Sequence, residues 1–553
     1  MIKSDLEKAI SQKLGNEFSL QSGARFGDFF ISPSITKELM AERDLSGEDL
    51  SRDIFESIKD NAEKVVFEGG YINVYLSKKT ILEELLILEK NTEAYFAIDQ
   101  SKDKTIVFDY SGPNIAKPFS VGHLRSTVIG QANYNIHKLI GYHVVGVNHI
   151  GDWGTQFGKL IYAIKTWGNE DEIAKDPIAS LNALYVRFHK EAEDDESLNE
   201  CAREWFKKLE DGDEEARRLW QKCIDWSMSE FKRVYKIIGV NIDNTQGESF
   251  YSDKLDAVIQ EIKTKGLLKE SEGAFVVELD DLPPALIQKK DLATLYLTRD
   301  LAALKYRLDT FMPTEIIYHV GNDQSLHFRQ LAAVATKLGW LDKTQITFAG
   351  HGLIKLETGK MSTRKGQVIL LDDIINEAKQ KALNIINQKN PDLKNHDETA
   401  MSIAVSAIKY SDLVQNRKSD IVFSFDKVVT LKGNSGPYLQ YTYARAASIL
   451  RKLDSEFPGA AVEAYLPEEG IALARHILGL RDALIQAART SSPNIVCDFT
   501  FKLCEQFNGY YETKKIVTKN RQESSRNSYL VLLVQTILGI CFETLALDKL
   551  DEI

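Results

Sequence analysis

A glycine and a histidine at the start of a predicted helix could bind a phosphate group. They lie in residues 109–130, DYSGPNIAKPFSVGHLRSTVIG, between a β-branched and aromatic run at 105–110 and helically spaced apolar residues at 124–139. A helix N-terminus presents unpaired N–H groups, and Gly122 lets a backbone approach a ligand closely. We therefore expect a nucleotide phosphate beside His123. A capped loop with a hydrogen-bonded histidine is the alternative that this stretch alone leaves open.

A second glycine-rich stretch follows the next predicted strand. Residues 142–148 (YHVVGVN) are typical of a strand, so strand, helix and strand predict a βαβ unit of a doubly wound sheet. In the string HIGDWGTQFG that follows, Gly151 and Gly154 let the backbone pass close to a ligand. Asp152 can accept a hydrogen bond from a ribose hydroxyl or an ammonium group. A plain loop is the alternative for this string alone.

A cationic stretch near residue 360 could stabilise charge on a departing pyrophosphate. Residues 346–371 read ITFAGHGLIKLETGKMSTRKGQVILL and place Lys360, Arg364 and Lys365 close together. Positive groups aimed at developing phosphate charge stabilise a transition state. A basic exposed loop is the alternative.

These stretches together resemble the class I aminoacyl-tRNA synthetases. Gly122 and His123 match the end of the "HIGH" signature, and Lys360, Met361 and Ser362 match the start of "KMSKS". The strings SGPNIAKPFSVGHLRST, GDWGTQFG and YHVGNDQSLHF resemble arginyl-tRNA synthetases in particular. That resemblance implies condensation of arginine with ATP, followed by transfer of the arginyl group to tRNA(Arg).

Both signatures are irregular in this chain. Ser120 occupies the place of the first histidine, and Thr363 occupies the place of the second lysine. Lys117 is an additional candidate phosphate ligand, since many relatives with an irregular second signature carry a lysine at this point.

The resemblance also implies which residues form the site. The implied catalytic residues are His123, Lys117, Lys360 and Arg364. The implied ATP-binding residues are Gly122, His123, Gly151, Asp152, Gly154, His351, Gly352, Leu353, Met361 and Ser362. The implied arginine-binding residues are Asp109, Asn114, Tyr296, Asp300 and Gln324. A planar guanidinium with five donors is best held by carboxylates at fixed angles.

The expected fold class is α/β, with further domains on either side of the catalytic one. A doubly wound, Rossmann-like catalytic domain is expected between an N-terminal α+β domain and a C-terminal all-α anticodon-binding domain. The expected boundaries are 1–80 for the N-terminal tRNA-contacting domain, 81–104 for a helical connector, 105–375 for the catalytic domain with insertions, 376–427 for a helical stem-contact region and 428–553 for the anticodon-binding domain of the DALR type. Thr298 is expected to cap the helix that carries Asp300.

The net charge of −11 does not by itself indicate a nucleic-acid partner such as tRNA. Binding must therefore use local basic patches. The run 514–526 holds five Lys or Arg against one Glu. The implied tRNA-binding residues are Tyr443, Arg445, Lys514, Lys515 and Arg521. Aromatic residues at helical spacing are more often core, and this alternative applies to the tyrosines near 440.

The remaining expectations concern cofactors, location and rival functions. ATP is the expected cofactor, with Mg²⁺ accompanying it and no metal held by the chain. The five cysteines show no zinc spacing, and no run approaches a membrane span, so a cytoplasmic protein is expected. A monomer is also expected. One rival function is another class I synthetase such as the cysteinyl enzyme, whose zinc ligands are absent here. The other is a noncatalytic tRNA-binding paralogue, which the irregular signatures suggest.

Overall fold

A five-stranded parallel sheet forms the centre of the fold. The computed structural model describes residues 2–15, 18–23, 27–289, 296–356, 370–423, 430 and 433–553. From edge to edge the strands of the sheet are Gln345–Phe348, Glu315–Tyr318, Thr105–Asp109, His143–Asn148 and Asn244–Thr245. The first strand in sequence therefore lies in the middle. The chain builds outward on one side of it and then returns to build on the other.

This strand order creates a crevice beside the strand Thr105–Asp109. Asp109 pairs with Val147 on one side and with Tyr318 on the other, all at carboxyl ends of parallel strands. Ligands of doubly wound sheets bind outside these ends, where the strand order reverses. The doubly wound sheet predicted from the sequence is confirmed.

Helices and smaller strands surround the sheet. The α-helices in this part of the chain are Val121–Leu139, Gln156–Trp167, Glu170–Ile173, Pro177–Asp194, Ser197–Asp211, Glu214–Ile237, Leu255–Thr264, Tyr296–Phe311 and Ser325–Lys337. The 3-10 turns are Asp99–Ser101, Glu248–Lys254 and Asn322–Gln324. An antiparallel sheet joins Leu268–Ser271, Ala274–Val277 and Ala285–Gln288, and a parallel pair joins Ile354–Leu356 to Ile421–Phe423.

The expected cap at Thr298 is wrong. The helix includes Tyr296, and the Thr298 hydroxyl donates to the carbonyl of Ile287 at 2.5 Å. Thr298 is fully buried inside the helix, so this hydroxyl satisfies a strand carbonyl rather than a helix terminus.

The N-terminal part is α+β. Its antiparallel sheet has the strand order Gln21–Ser22, Phe29–Ile31, Tyr71–Leu76 and Ala62–Glu68. Its helices are Ile2–Leu14, Pro33–Arg43 and Gly47–Ile58, followed by Lys78–Lys90 and Thr92–Phe96. The helix Pro33–Arg43 is absent from the sequence-based prediction, although proline at the first helical position is a recognised start signal.

The C-terminal part is helical. Its α-helices are Leu371–Lys389, His396–Leu413, Gly436–Glu456, Ile471–Leu478, Leu480–Thr490, Asn494–Thr513 and Arg521–Thr544, with a 3-10 turn at Glu468–Gly470. The expectation that no run approaches a membrane span is wrong, because Arg521–Thr544 is long and apolar enough by length and composition. Of its most apolar window, 72% is buried within the structure. A helix that is apolar around most of its circumference is usually buried in a core, and most of this helix is buried against the rest of the chain.

A buried ion pair joins the helix that begins beside His123 to the C-terminal helices. Arg125 Nε lies 3.1 Å from Asp412 Oδ1, and the two side chains are 1% and 4% exposed. Arg125 also donates to the carbonyls of Gly352, Ser419 and Arg417, at 3.0, 2.7 and 3.2 Å. The guanidinium is therefore held by one carboxylate and three carbonyls from two different segments.

Replacing Asp412 by alanine should strongly destabilise the protein. Removing one partner of a buried pair leaves the other charge uncompensated, which costs about 3–5 kcal/mol. The matched control is Asp309→Ala, since Asp309 is a helical aspartate whose partner Lys305 is also exposed to solvent; its loss should cost less than about 1 kcal/mol. Urea denaturation measures both free energies of unfolding. Equal losses would contradict the structural role of the Arg125–Asp412 pair.

Candidate active site at the carboxyl edge of the sheet

His123 lies in the first turn of the helix Val121–Leu139 and faces the N-cap residue. Ser120 is the N-cap, and its backbone N–H donates to His123 Nδ1 at 3.1 Å. Because Nδ1 accepts, the proton of the neutral ring lies on Nε2, which can donate to a ligand. Burial, and then the charge of Lys117, lower the pKa of His123 to about 4. The serine that replaces the first histidine of the signature thus orients the second.

The loop before His123 is held in an unusual conformation by neighbouring helices. Ser111 and Ala116 have positive φ angles of 75° and 62°. The N–H of Ser111 donates to Ser126 Oγ at 3.1 Å, and the N–H of Ala116 donates to Ser227 Oγ at 2.9 Å. Positive φ in non-glycine residues costs energy and persists where the surroundings hold it, often at functional sites.

Asn114 and Gly151 bring the two glycine-rich stretches together. The two residues form an isolated parallel bridge, and a Cβ placed on Gly151 would lie only 2.1 Å from Asn114 Oδ1. Only glycine permits this approach. The sequence predicts that Gly151 lets the backbone pass close to a ligand, and in the structure its closest neighbour is Asn114 of the protein itself.

Asp300 lies between two histidines. His327 Nε2 is 2.6 Å from Asp300 Oδ2, and His149 Nε2 is 3.4 Å from Asp300 Oδ1. Burial alone would raise the pKa of Asp300, but the hydrogen bonds from His149 and His327 outweigh it and hold the pKa well below its usual range. Asp300 is therefore an ionised, oriented carboxylate.

Asp109 already has a cationic partner. Arg307 Nη1 lies 2.7 Å from Asp109 Oδ2, and the arginine is 1% exposed. Burial would lower the pKa of Arg307, but the charge of Asp109 more than offsets it. Arg307 lies seven residues after Asp300 on one helix, which is two turns and hence the same face. That spacing was the one sequence signal for Arg307 as a site residue.

Asp152 is also engaged within the protein. Its carboxylate accepts from the Ser249 N–H at 2.8 Å and from the Ser249 hydroxyl at 2.6 Å. Burial raises the pKa of Asp152 despite these bonds. Nearby, burial raises the pKa of Glu248 to about 7, and Arg299 lies 3.3 Å from it. His149, His327, Arg307 and Glu248 are four residues of this cluster that sequence reasoning missed, because their partners come from distant segments.

The other expected arginine-binding residues face solvent. The side chain of Tyr296 is 66% exposed, and Gln324 is exposed in the turn Asn322–Gln324. The structure brings Asp109, Asn114 and Asp300 to one edge of the sheet, and it leaves these two side chains outside the packed cluster.

Residues 350–353 follow the edge strand Gln345–Phe348. The family resemblance implies that this segment lies under the adenine of ATP, and we call it the adenine stretch. His351 is buried, and burial lowers its pKa to about 4. Gly352 is packed so closely that an added Cβ would lie 2.4 Å from the carbonyl oxygen of Ser419. The side chain of Leu353 is 48% exposed and is available to a flat ligand. Lys360, Met361, Ser362 and Arg364 lie outside the described residues.

The expected tRNA-binding residues divide into buried and exposed ones. Tyr443 is 8% exposed and its ring centroid lies 5.5 Å from that of Phe542, so it is a core residue rather than a stacking platform. Arg445 donates to Asn508 Oδ1 at 2.5 Å and lies over the rings of Tyr441 and Tyr511.

The basic run keeps three exposed members, one of which is Lys519. Lys514 Nζ lies 2.5 Å from Glu469 Oε1, so the charge of the lysine is already paired within the protein. Lys515 and Arg521 are exposed.

A metal ion held by the protein would need several His, Cys, Asp or Glu side chains close together in the described parts of the chain. There, no group of three or more His, Cys, Asp or Glu could hold an ion. These residues do not fit a Mg²⁺ held by the protein, so no step is assigned to a protein-bound metal.

Comparison with known proteins matches the chain to two family models. The model of the family "tRNA synthetases class I (R), catalytic domain" matches residues 84–425, and that of the "DALR anticodon binding domain" matches residues 439–553. The chain belongs to the arginyl-tRNA synthetase family. Among curated relatives, the arginine–tRNA ligase of Clostridioides difficile is 42% identical over 88% of this chain and 88% of its own length. That of Streptococcus pneumoniae is 46% identical over 84% and 83%.

Solved structures of arginyl-tRNA synthetases share the fold. The enzyme from Plasmodium falciparum aligns with a TM-score of 0.83 at 27% identity, over 100% of this chain and 98% of that chain. The one from Thermus thermophilus aligns with a TM-score of 0.81 at 22% identity over 100% of both. As an arginyl-tRNA synthetase, the chain is a ligase, and neither the cysteinyl-type rival nor the noncatalytic rival is supported.

The neutral state of His123 can be measured. Because its pKa is lowered to about 4, His123 should stay neutral at pH 6, where an ordinary histidine of pKa about 6.5 is largely charged. NMR titration of ¹³C-labelled histidines, assigned with His123→Gln, should show this ring titrating below all exposed ones. Lys117→Met should raise the pKa, since it removes a repelling charge. A midpoint for His123 near 6.5 would contradict the assigned burial.

Proposed function

We propose that arginine is activated at the carboxyl edge of the sheet, with Asp300 as the main ligand of the substrate guanidinium. The observation that carries this proposal is the ionised Asp300 carboxylate held between His149 and His327. A carboxylate with both oxygens oriented suits a bidentate bond to a guanidinium. Asn114 and Asp109 complete the inner wall, and Tyr296 and Gln324 close over the substrate from the solvent side.

Asp109 acts through Arg307 in this proposal. Since their ion pair is buried, Asp109 is neutralised before substrate arrives. Asp300 is then the pocket carboxylate whose partners are histidines rather than an arginine, and we propose that it receives the single cationic side chain. An uncharged analogue of arginine would leave the carboxylate of this site without a cationic partner. The site therefore strongly rejects such analogues.

ATP binds beside this pocket. His123 Nε2–H, Lys117, Lys360 and Arg364 are proposed to bind phosphates, with Met361 and Ser362 on the same stretch. Gly122, Gly151, Asp152, Gly154, His351, Gly352 and Leu353 are proposed to hold the nucleoside. The arginine carboxylate then attacks the α-phosphate in line, which forms arginyl-adenylate as the bond to the departing pyrophosphate breaks. Binding geometry and positive charge supply most of the acceleration. Mg²⁺ would be carried by the ATP phosphates, whose charge it would partly neutralise.

The domain division follows the functions of the parts. We propose an N-terminal tRNA-contacting domain at 1–80, a connector at 81–104, the catalytic domain at 105–375, a stem-contact region at 376–427 and the anticodon-binding domain at 428–553. The tRNA surface includes Arg445, Lys515 and Arg521. Tyr443 is left out because its ring is buried, and Lys514 because its charge is paired. We propose a cytoplasmic monomer bound to no membrane.

ATP–pyrophosphate exchange with each standard amino acid, with and without total tRNA, tests the proposed chemistry. Exchange should require arginine. Asp300→Asn should reduce kcat/KM for arginine about 100-fold or more, because it removes the charge from a buried charge-assisted bond, while ATP binding stays unchanged. Asp309→Asn, on the exposed face of the same helix, is the control and should match the parent. Exchange with another amino acid, or full arginine activity in Asp300→Asn, would reject the pocket.

Neutralising Lys515 and Arg521 should weaken tRNA binding. If each contacts a phosphate, the double variant Lys515→Gln, Arg521→Gln should lower the slope of log K against log salt by about 2. Lys190→Gln, at an exposed lysine of the helix Pro177–Asp194, is the control. Filter binding over a salt series measures the slopes. An unchanged slope would place the tRNA elsewhere.

A further inference from the structure

The backbone of residues 350–353 is held largely by a segment that follows the helix His396–Leu413. The N–H of Gly352 donates to the Arg417 carbonyl at 2.9 Å. The N–H of Leu353 donates to Asp420 Oδ1 at 2.8 Å, and its carbonyl accepts from the N–H of Ile421 at 2.9 Å. The proposed adenine stretch therefore takes its shape from residues about 65 positions later in the chain, as the separation of 67 between Leu353 and Asp420 illustrates.

One side chain of that segment reaches both the adenine stretch and the C-terminal helices. Arg417 Nη1 donates to the carbonyl of Gly350 at 2.5 Å. Its Nη2 donates to the carbonyl of Thr490 at 3.3 Å. Thr490 is the last residue of the helix Leu480–Thr490, whose final carbonyls lack partners within the helix. Because Arg417 is 9% exposed, both bonds lie in a mostly water-excluded place.

Arg125 makes this junction more rigid. It donates to the carbonyl of Arg417 at 3.2 Å and to that of Gly352 at 3.0 Å, so the two segments share one buried guanidinium. The backbone at Gly352 is tightly packed, since an added Cβ would lie 2.4 Å from the carbonyl oxygen of Ser419. A shift of residues 417–420 must therefore move residues 350–353.

We propose that Arg417 is a positioning residue that holds the ATP-binding stretch 350–353 in register with the C-terminal helices. The inference rests on the proposed adenine site and adds to it how that site is set. Arg417 touches no substrate. It sets the position of the carbonyl of Gly350, and through its own carbonyl the N–H of Gly352, relative to the end of the helix Leu480–Thr490.

A lysine at position 417 cannot do the same. The guanidinium presents donors in a planar fork that reaches two carbonyls in different directions, whereas an ammonium is a single point charge on a flexible stem. Arg417→Lys therefore keeps the positive charge but loses the paired hydrogen bonds to the carbonyls of Gly350 and Thr490. Arg475→Lys is the matched control, since Arg475 also joins distant segments, through Asp28 and the carbonyl of Leu76, without reaching residues 350–353.

The test combines steady-state exchange with hydrogen–deuterium exchange on the full-length enzyme. Arg417→Lys should raise KM for ATP about tenfold, or 1.4 kcal/mol, and leave KM for arginine within about twofold of the parent. Amide exchange should speed up at residues 350–353 and at 488–492, and stay unchanged in the strand Tyr71–Leu76. Arg475→Lys should alter neither KM. The variant Asp420→Asn weakens the bond to the Leu353 N–H from an exposed position and should act in the same direction.

Each outcome decides the matter. An unchanged KM for ATP in both Arg417→Lys and Asp420→Asn would overturn the inference. A parallel rise of both KM values with a lower Tm would also overturn it, since general loosening would explain it. Leu353→Asp tests the adenine site separately. If Leu353→Asp weakens ATP binding and Arg417→Lys does not, the adenine site is supported and the positioning role of Arg417 is rejected. If Leu353→Asp has no effect, the adenine site itself is wrong.

Discussion

The burial of the Arg125 guanidinium is the constraint on which the arrangement of the parts depends. A buried charge is tolerated only when a counter-charge and hydrogen-bond acceptors surround it. Asp412 supplies the charge, and the carbonyls of Gly352, Arg417 and Ser419 supply the acceptors. The helix that begins beside His123 can therefore pack only with the adenine stretch and the C-terminal helices in place. One interaction joins the proposed phosphate end of the site, the proposed adenine end and the helical part of the enzyme.

The amino-acid end of the site depends on a different balance of charges. The described cluster contains the carboxylates of Asp109, Asp152, Glu248 and Asp300, and each is paired or hydrogen-bonded within the protein. The charge of Asp109 is compensated by Arg307, and both side chains of this ion pair are buried. The partners of Asp300 are different, since they are two histidines at 3.4 and 2.6 Å rather than a buried arginine. This arrangement supports the proposed binding of one guanidinium at Asp300.

Much of the site could be predicted from the sequence, and the limits have physical causes. Gly122 and His123 were predictable because a glycine before a helix and a histidine in its first turn are local features. Asp300 was predictable only through the family resemblance, since an aspartate near a helix start has a structural explanation of its own. His149, His327, Arg307 and Arg417 were not predicted, because what defines them is a partner from a separate segment of the chain. Tyr443 was misassigned for the same reason: helical spacing does not tell which face is buried.

The sequence by itself determined the family, the central α/β architecture and the chemistry. Strand periodicity, helix starts and the two signature strings are short-range patterns, and composition already required local rather than global basic surfaces for tRNA. Only the tertiary structure decided which carboxylate is paired with a buried arginine and which with two histidines. It also decided that the helix Arg521–Thr544, apolar enough by composition for a membrane, is mostly buried in the protein. The physical reason is that burial and charge pairing depend on three-dimensional neighbours, whereas periodicity and capping depend on neighbours along the chain.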